Sequence, residues 1–211
     1  MKYYLFDFDG TLVDSMPRWI RKMLRILDEY GIAYGEDIIR TITPLGDLGC
    51  ARYFQELGVP LSVEELFQMM DEYAIPAYRD EIPAKETVAE TLSALKAEGH
   101  RLAVLTASPH KMLDPCLRRL GLYDLFDEVW SSDDFGMSKS NPEIYRRACR
   151  LLGIPVEECT FLDDNIIALK AAREAGVVPV GIFDPSSAED ESAIRAISSR
   201  YLVRMEELLR A

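Results

Sequence analysis

From Glu86 onward, β-prone apolar runs alternate with stretches of helical periodicity, and this alternation leaves the chain few architectures to choose from. A helix to about Glu98 is followed by strand Arg101 to Thr106, helix Pro109 to Leu120 and a short strand around Phe126 to Trp130. Helix Pro142 to Leu152, strand Cys159 to Leu162, helix Asn165 to Ala175 and strand Val178 to Phe183 continue the pattern, before two helical segments flank Tyr201-Leu202-Val203. Parallel strands need crossover connections and helices supply them, so the pattern predicts an α/β fold with a doubly wound parallel sheet, Rossmann-like in plan. One more strand, Tyr3-Tyr4-Leu5-Phe6, stands far upstream. Between them the pattern is helical only. Ser15 reads as a helix cap with Pro17 in the first turn, Trp19, Ile20, Met23, Leu24 and Leu27 recur at helical spacing, and Leu48 to Leu57 and Val63 to Tyr78 follow. Residues 15–85 therefore read as a helical insertion into a core made of residues 1–14 and 86–211.

In such sheets ligands bind beyond the carboxyl ends of the strands, which directs attention to the residues found there. The first strand ends in Asp7-Phe8-Asp9-Gly10-Thr11. Strand alternation sends Asp7 and Asp9 to one side and Phe8 to the other, so two acids share a small volume and call for a shared proton, a metal ion or a basic neighbour. Asp-x-Asp-Gly also occurs in ordinary turns, where Asp caps the backbone and Gly supplies positive φ. The next strand ends in Thr106-Ala107-Ser108-Pro109. With Ser108 as cap and Pro109 in the first turn, free amides and the helix dipole would make an anion site. Thr106, Ala107 and Ser108 are thus candidate substrate-binding residues. Lys139 precedes another helix start, capped by Asn141, and is the candidate counter-charge. The strand Thr160-Phe161-Leu162 ends in a second acidic pair, Asp163-Asp164. Four acids gathered at one sheet edge would be destabilising without a hard cation among them, and Mg²⁺ prefers one or two carboxylates with water and phosphate oxygens.

A formal charge of −12 disfavours nucleic-acid and anionic-membrane partners, which call for a basic face. No apolar stretch approaches the roughly 18 residues of a membrane span, and the N-terminus lacks the regions of a signal peptide, so a cytoplasmic location is expected. Cys50, Cys116, Cys149 and Cys159 lie far apart without paired spacing, which predicts reduced thiols rather than a zinc site or a disulfide framework.

Taken in order, Asp7-Phe8-Asp9-Gly10-Thr11, Thr106-Ala107-Ser108, Lys139 and Asp163-Asp164 resemble all four motifs of the haloacid dehalogenase superfamily of phosphohydrolases. The likeness covers nearly the whole chain, since the helical insertion resembles the cap of the branch that includes phosphoglycolate phosphatase-like and β-phosphoglucomutase-like enzymes. The resemblance implies that Asp7 attacks phosphorus to form an aspartyl-phosphate and that Asp9 serves as acid and then base. It implies that Thr106 and the Ala107 amide hold phosphoryl oxygens while Lys139 neutralises charge on phosphate and Asp7. It also implies a Mg²⁺ ion held by Asp7, the Asp9 carbonyl and Asp164, with Asp163 farther out; the division between Asp163 and Asp164 is left open. Family members often place Pro directly after the motif lysine, whereas Ser140 and Asn141 intervene here.

The implied substrate is a small phosphorylated metabolite. Asp9 argues against carbon–halogen cleavage, because the resembling dehalogenases lack an acid there. A phosphonate-cleaving relative would need a cap lysine as Schiff base; Lys22 is the candidate, and its neighbours Arg18, Arg21 and Arg25 predict a solvated basic face instead. A phosphomutase shares the four motifs and is the harder rival, while a non-catalytic scaffold would be free to lose Asp7, Asp9 or Lys139. Specificity is expected from the insertion, where the loop Thr43 to Asp47 is expected to reach the active site and Arg52 and Arg79 are candidates for contact with an anionic leaving group. Closure about the connections near Val13 to Ser15 and Pro83 to Glu86 is expected to exclude water.

Overall fold

A computed structural model describes residues 1–42 and 45–210; Thr43 and Pro44 of the loop expected to reach the substrate lie outside the described residues. Strand β1 (Tyr3–Phe6) opens the larger of two compact units, which comprises Met1–Asp14 and the described residues from Pro83 onward. Among the described residues of the smaller unit, Ser15–Ile82, the regular elements are α-helices: α1 (Met16–Glu29), α2 (Ile38–Ile42), α3 (Gly46–Glu56) and α4 (Val63–Asp80). The chain then returns through α5 (Val88–Ala97), β2 (Arg101–Thr106), α6 (His110–Arg119), β3 (Glu128–Ser131), α7 (Pro142–Leu152), β4 (Cys159–Asp163), α8 (Ile166–Ala175), β5 (Val178–Ile182), α9 (Glu191–Ile197) and β6 (Arg200–Leu202).

The six strands form one sheet in the order β3-β2-β1-β4-β5-β6, with every pairing parallel. This is the doubly wound order, in which the chain runs outward from β1 in one direction and later in the other, leaving a crevice where the direction reverses. Central parallel strands are covered on both faces and so are apolar without alternation. Leu5 and Phe6 of β1, and Val104 and Leu105 of β2, are fully buried, and the sheet packs on Tyr145, Ala148, Leu169 and Ala172 from α7 and α8. The predicted α/β fold is the one observed.

Pro83, Ala84 and Lys85, read from the sequence as the end of the insertion, belong with the larger unit. The Lys85 amide donates to the Leu12 carbonyl at 2.9 Å, the Asp14 amide to the Pro83 carbonyl at 3.0 Å, and Val13 and Ala84 form an antiparallel bridge.

The smaller unit closes its own core. Met23, Ile26 and Leu27 of α1 and Leu66 and Met70 of α4 pack with Ile38, Ile42, Cys50, Phe54 and Val59. Helix α4 starts on a reciprocal box, in which Ser62 Oγ accepts from the Glu65 amide at 3.2 Å and the Glu65 carboxylate accepts from the Ser62 amide at 2.7 Å. Two expectations fail in α1. Ser15 does not cap it: its backbone is helical (φ −91°, ψ −24°) rather than extended, and its buried hydroxyl has no hydrogen-bond partner among the described residues. Lys22 is not solvated. It is buried and paired with Asp47, with Nζ 3.4 Å from both carboxylate oxygens, and the Trp19 indole donates to the same carboxylate at 2.8 Å. Arg18 and Arg25 lie outward, paired with Glu81 and Glu29, so the basic face is real but Lys22 stands inside it. An ammonium held by a carboxylate is a poor Schiff-base nucleophile, which further weakens the phosphonate reading. All four cysteines are free and buried. Among the described residues no helix is long and apolar enough to cross a membrane.

Candidate active site

Strand β1 delivers Asp7 to the crevice beside β4. The Asp7 amide extends the ladder by donating to the Leu162 carbonyl at 2.9 Å, which sets Asp7 next to Asp163 at the end of β4. The chain then turns back on itself: the amides of Leu12 and Val13 both donate to the Phe8 carbonyl, and Phe8 is fully buried, as strand alternation requires. Gly10 sits in this turn at φ +75°, and a Cβ there would lie 2.7 Å from Asp164 Oδ1 and 2.8 Å from Oδ2. The glycine therefore supplies both a left-handed backbone and the room in which the Asp164 carboxylate stands.

Asp7, Asp163 and Asp164 are all buried, and each offers an oxygen within 4.8 Å of the others'. Lys139, itself largely buried, makes a short hydrogen bond to Asp7 Oδ1 and another to Asp163 Oδ2 at 2.8 Å. The second oxygen of Asp163 accepts from the Asn165 amide at 2.7 Å. Both Asp163 oxygens are thus engaged by the protein, whereas among the described residues Asp164 accepts a hydrogen bond only from the Thr11 hydroxyl, at 3.5 Å. The electrostatics follow from burial. It drives the Asp7 carboxyl up to about 8, with the charges of Asp163 and Asp9 adding and Lys139 opposing. It raises Asp164 well above the carboxylate range, and Asp163, Asp7 and Asp184 push the same way. Burial alone would lower Lys139, but Asp163 and Asp7 overcome it and the ammonium is held charged. Three buried carboxylates against one ammonium leave an excess of negative charge that a hard cation would satisfy, and the donor set is all oxygen, as Mg²⁺ requires.

Of the four acids expected at this edge, Asp9 is set apart. Its side chain is not in the three-carboxylate cluster; its Oδ2 accepts a 2.5 Å hydrogen bond from the Ser108 hydroxyl. Ser108 correspondingly does not cap α6. The helix begins at His110, with Pro109 in the cap position and no side-chain cap bond, and the Ser108 hydroxyl donates to Asp9 instead. Thr106 is buried, its hydroxyl accepting from the Ser108 amide at 3.0 Å, and Ala107 is exposed. Asn141 does cap α7, and Asn165 caps α8. In the smaller unit Arg52 is exposed on α3, and Arg79 is exposed and paired with its neighbour Asp80 at 2.7 Å.

Two supporting side chains escaped the sequence reading. The buried Tyr145 hydroxyl lies 2.9 Å from the Lys139 carbonyl, to which it donates, and 3.1 Å from that of Ala168, holding the lysine loop against α8. Lys85 donates to the carbonyls of Gly10 (2.6 Å) and Phe183 (2.7 Å) and to Asp184 (3.0 Å), bracing the Asp7–Thr11 turn from the side of β5. Tyr145 reads locally as one more core aromatic. No spacing in the sequence links Lys85 to Gly10.

The fit of Gly10 gives a direct test. Gly10→Ala forces a methyl onto the Asp164 carboxylate and a non-glycine residue into the left-handed region, at a cost of about 1–2 kcal/mol in stability. Divalent-cation affinity should fall by about 10-fold or more, as it does when a ligand's support is disturbed. Thermal unfolding and calorimetric Mg²⁺ titration measure the two effects, and unchanged affinity would show that the Asp164 position is immaterial to the ion.

Known proteins agree with this architecture. A model of the haloacid dehalogenase-like hydrolases matches residues 1–176. A phosphorylated carbohydrates phosphatase of Thermotoga maritima is 28% identical over 211 residues, covering 99% of this chain and 97% of its own. Hexitol phosphatase B of Escherichia coli is 31% identical over 187 residues, covering 82% and 81% of the two chains. The crystal structure of CbbY from Rhodobacter sphaeroides, in complex with xylulose-(1,5)bisphosphate, superposes with a TM-score of 0.83 at 24% identity, covering 99% of this chain and 96% of that one, and shares the fold. The chain belongs to the haloacid dehalogenase-like hydrolases. Within that family it stands with the phosphoric monoester hydrolases.

Proposed function

We propose that this protein is a Mg²⁺-dependent phosphatase that hydrolyses a small phosphorylated metabolite through an aspartyl-phosphate on Asp7. The observation that carries the reading is the Lys139 ammonium bonded to both Asp7 and Asp163, with Asp164 beside them. A carboxylate held by a lysine at the mouth of a sheet is oriented for in-line attack, and the lysine lowers the charge barrier between that carboxylate and a phosphate dianion. Asp7 bonds to phosphorus as the bond to the leaving oxygen breaks, and Asp9 gives that oxygen its proton. Water then attacks phosphorus, Asp9 takes its proton, and Asp7 is released. Thr106, which ends β2, and the exposed Ala107 after it would meet the phosphoryl oxygens. Asp7, Asp164 and the Asp9 carbonyl would hold Mg²⁺, with Asp163 reserved for Lys139; the ion would supply neutralisation of the phosphoryl charge. We assign to the smaller helical unit the role of the cap.

The phosphatase relatives support a phosphorylated sugar or sugar alcohol as substrate, since one is named for phosphorylated carbohydrates and another for hexitols. The test is phosphate release from a panel of sugar and polyol phosphates and p-nitrophenyl phosphate, with Mg²⁺ and with EDTA. Turnover that needs Mg²⁺ is expected. A sugar phosphate converted to its isomer in the presence of its bisphosphate, without net phosphate, would replace the reading by the mutase alternative, and no reaction with any ester would overturn both.

A further inference from the structure

The Ser108 hydroxyl is placed for a purpose that the fold around it does not need. Ser108 stands at the start of a helix, where its residue type usually caps, yet α6 starts two residues later and takes no side-chain cap. Its backbone is fixed instead by the Thr106 hydroxyl, which accepts from the Ser108 amide at 3.0 Å. With the backbone so held, Oγ reaches across from the loop after β2 to the loop after β1 and donates to Asp9 Oδ2 at 2.5 Å, over a sequence separation of 99 residues. The two loops are neighbours because β1 and β2 pair in register, Phe6 opposite Val104. The next polar side chain along, His110, is turned elsewhere, with its ring nitrogens on Asp114 and Asp134.

We infer that Ser108 is a positioning residue for the acid–base carboxyl, acting through Asp9 rather than on the phosphoryl group; this rests on the reading of Asp9 as the proton donor. A hydroxyl that donates to Oδ2 makes that oxygen an acceptor, so the proton that Asp9 transfers is carried on Oδ1. In the first half-reaction the bond from Asp7 to phosphorus forms, the bond from phosphorus to the ester oxygen breaks, and the Oδ1 proton passes to that oxygen to give the alcohol. In the second, Oδ1 takes a proton from the attacking water, whose oxygen bonds to phosphorus as the Asp7 oxygen leaves. Ser108 keeps its own proton throughout. Its contribution is to fix the carboxyl plane and decide which oxygen faces the reacting bond. The alternative expected from the sequence, a hydroxyl that binds a phosphoryl oxygen, would serve all esters alike.

That contrast supplies the experiment. An alkyl phosphate needs its leaving oxygen protonated, whereas p-nitrophenolate leaves without a proton. Alcohol release in the first turnover, measured by rapid quench so that hydrolysis of the aspartyl-phosphate does not enter, is compared for the two esters in wild type, Ser108→Ala, Ser108→Thr and Asp9→Asn. Ser108→Ala should lower the alkyl-to-aryl rate ratio by about 10-fold or more, within the 10²–10⁴-fold that general acid catalysis contributes. Ser108→Thr, which keeps the hydroxyl, should restore most of the ratio. An equal loss on both esters, or no loss on either, overturns the inference in favour of a phosphoryl contact or a bystander. Asp9→Asn separates the two levels: if it lowers the ratio while Ser108→Ala does not, only the inference fails, and if Asp9→Asn leaves the ratio intact, the reading of Asp9 fails first. Thermal unfolding of each variant confirms that the comparison is made on folded protein.

Discussion

Asp7→Asn should abolish turnover while leaving the cation-free protein at least as stable as wild type. On the proposed route, replacing Asp7 removes the covalent step altogether, and losses of about 10³-fold or more are the rule when a nucleophile is replaced. The stability half follows from the burial of the same carboxyl. In the folded protein Asp7 holds its proton up to about 8, because burial outweighs the pull of Lys139. In the unfolded chain it releases the proton at about 3.9, the ordinary value for aspartate. Between those values the folded form binds more protons than the unfolded one, so stability falls as pH rises from about 4 to about 8. Asp164, raised by burial as well, acts in the same direction. Asparagine cannot ionise, so the variant's unfolding midpoint in EDTA should decline less over this range than that of wild type. Added Mg²⁺ should reverse the order by stabilising wild type more, since ligand binding to the folded state adds RT ln(1 + [L]/Kd). A wild-type midpoint that rises with pH in EDTA would show that the site is not charge-strained, and turnover surviving in Asp7→Asn would remove Asp7 from the chemistry.

The same burial of charge makes the acid-bearing ends of the strands the most legible part of the sequence. Acids at strand ends have no structural reason to gather, so Asp7, Asp163 and Asp164 stand out against the continuous apolar runs of β1, β2 and β4 that carry them. Those runs are themselves legible because a strand covered on both faces tolerates nothing else. Helix α7 is bounded as predicted, since Asn141 caps it, Pro142 fills its first position and Gly153 ends it in the left-handed region. What the sequence hides are pairings made across the fold and elements too short for periodicity. Helix α2 has only five residues. Lys22 lies among arginines that face outward, and only the folded smaller unit shows that Asp47 and Trp19 draw it inside. Ser15 and Ser108 both read as helix caps, and neither is one. A cap depends on the backbone angles of a single residue, and the partner that claims the Ser108 hydroxyl is 99 residues away. Strand alternation groups Asp9 with the other acids, but the turn at Gly10 lets it leave their cluster for Ser108.

Lys139→Met should be the most destabilising single change at the site, and its cost should depend on pH. Methionine keeps the volume of the lysine stem, so the loss is electrostatic rather than a cavity. Removing the ammonium strips Asp7 and Asp163 of their shared partner and leaves buried carboxylates uncompensated. Breaking a buried pair in this way costs about 3–5 kcal/mol, where a surface pair would cost less than about 1. Lys139 is held charged in the fold, its affinity for the proton raised by Asp163 and Asp7 against the opposing effect of burial. A lysine raised in this way gives stability that is complete below about 10.4, its unfolded value, and is lost only as pH rises through the folded one. Lysine titration therefore contributes nothing to pH dependence near neutrality. Asp7 and Asp164, both raised by burial, do: as pH falls they take up protons, the negative charge of the site diminishes, and the variant should recover towards wild type. Urea denaturation at about pH 8 and about pH 5 in EDTA reads the two differences, which by the linear extrapolation appear as midpoint shifts at constant slope. A gap that narrows on acidification is expected. A gap below about 1 kcal/mol at the higher pH would mean that Lys139 behaves as a solvated surface charge, and with it would go the observation on which the proposed function stands.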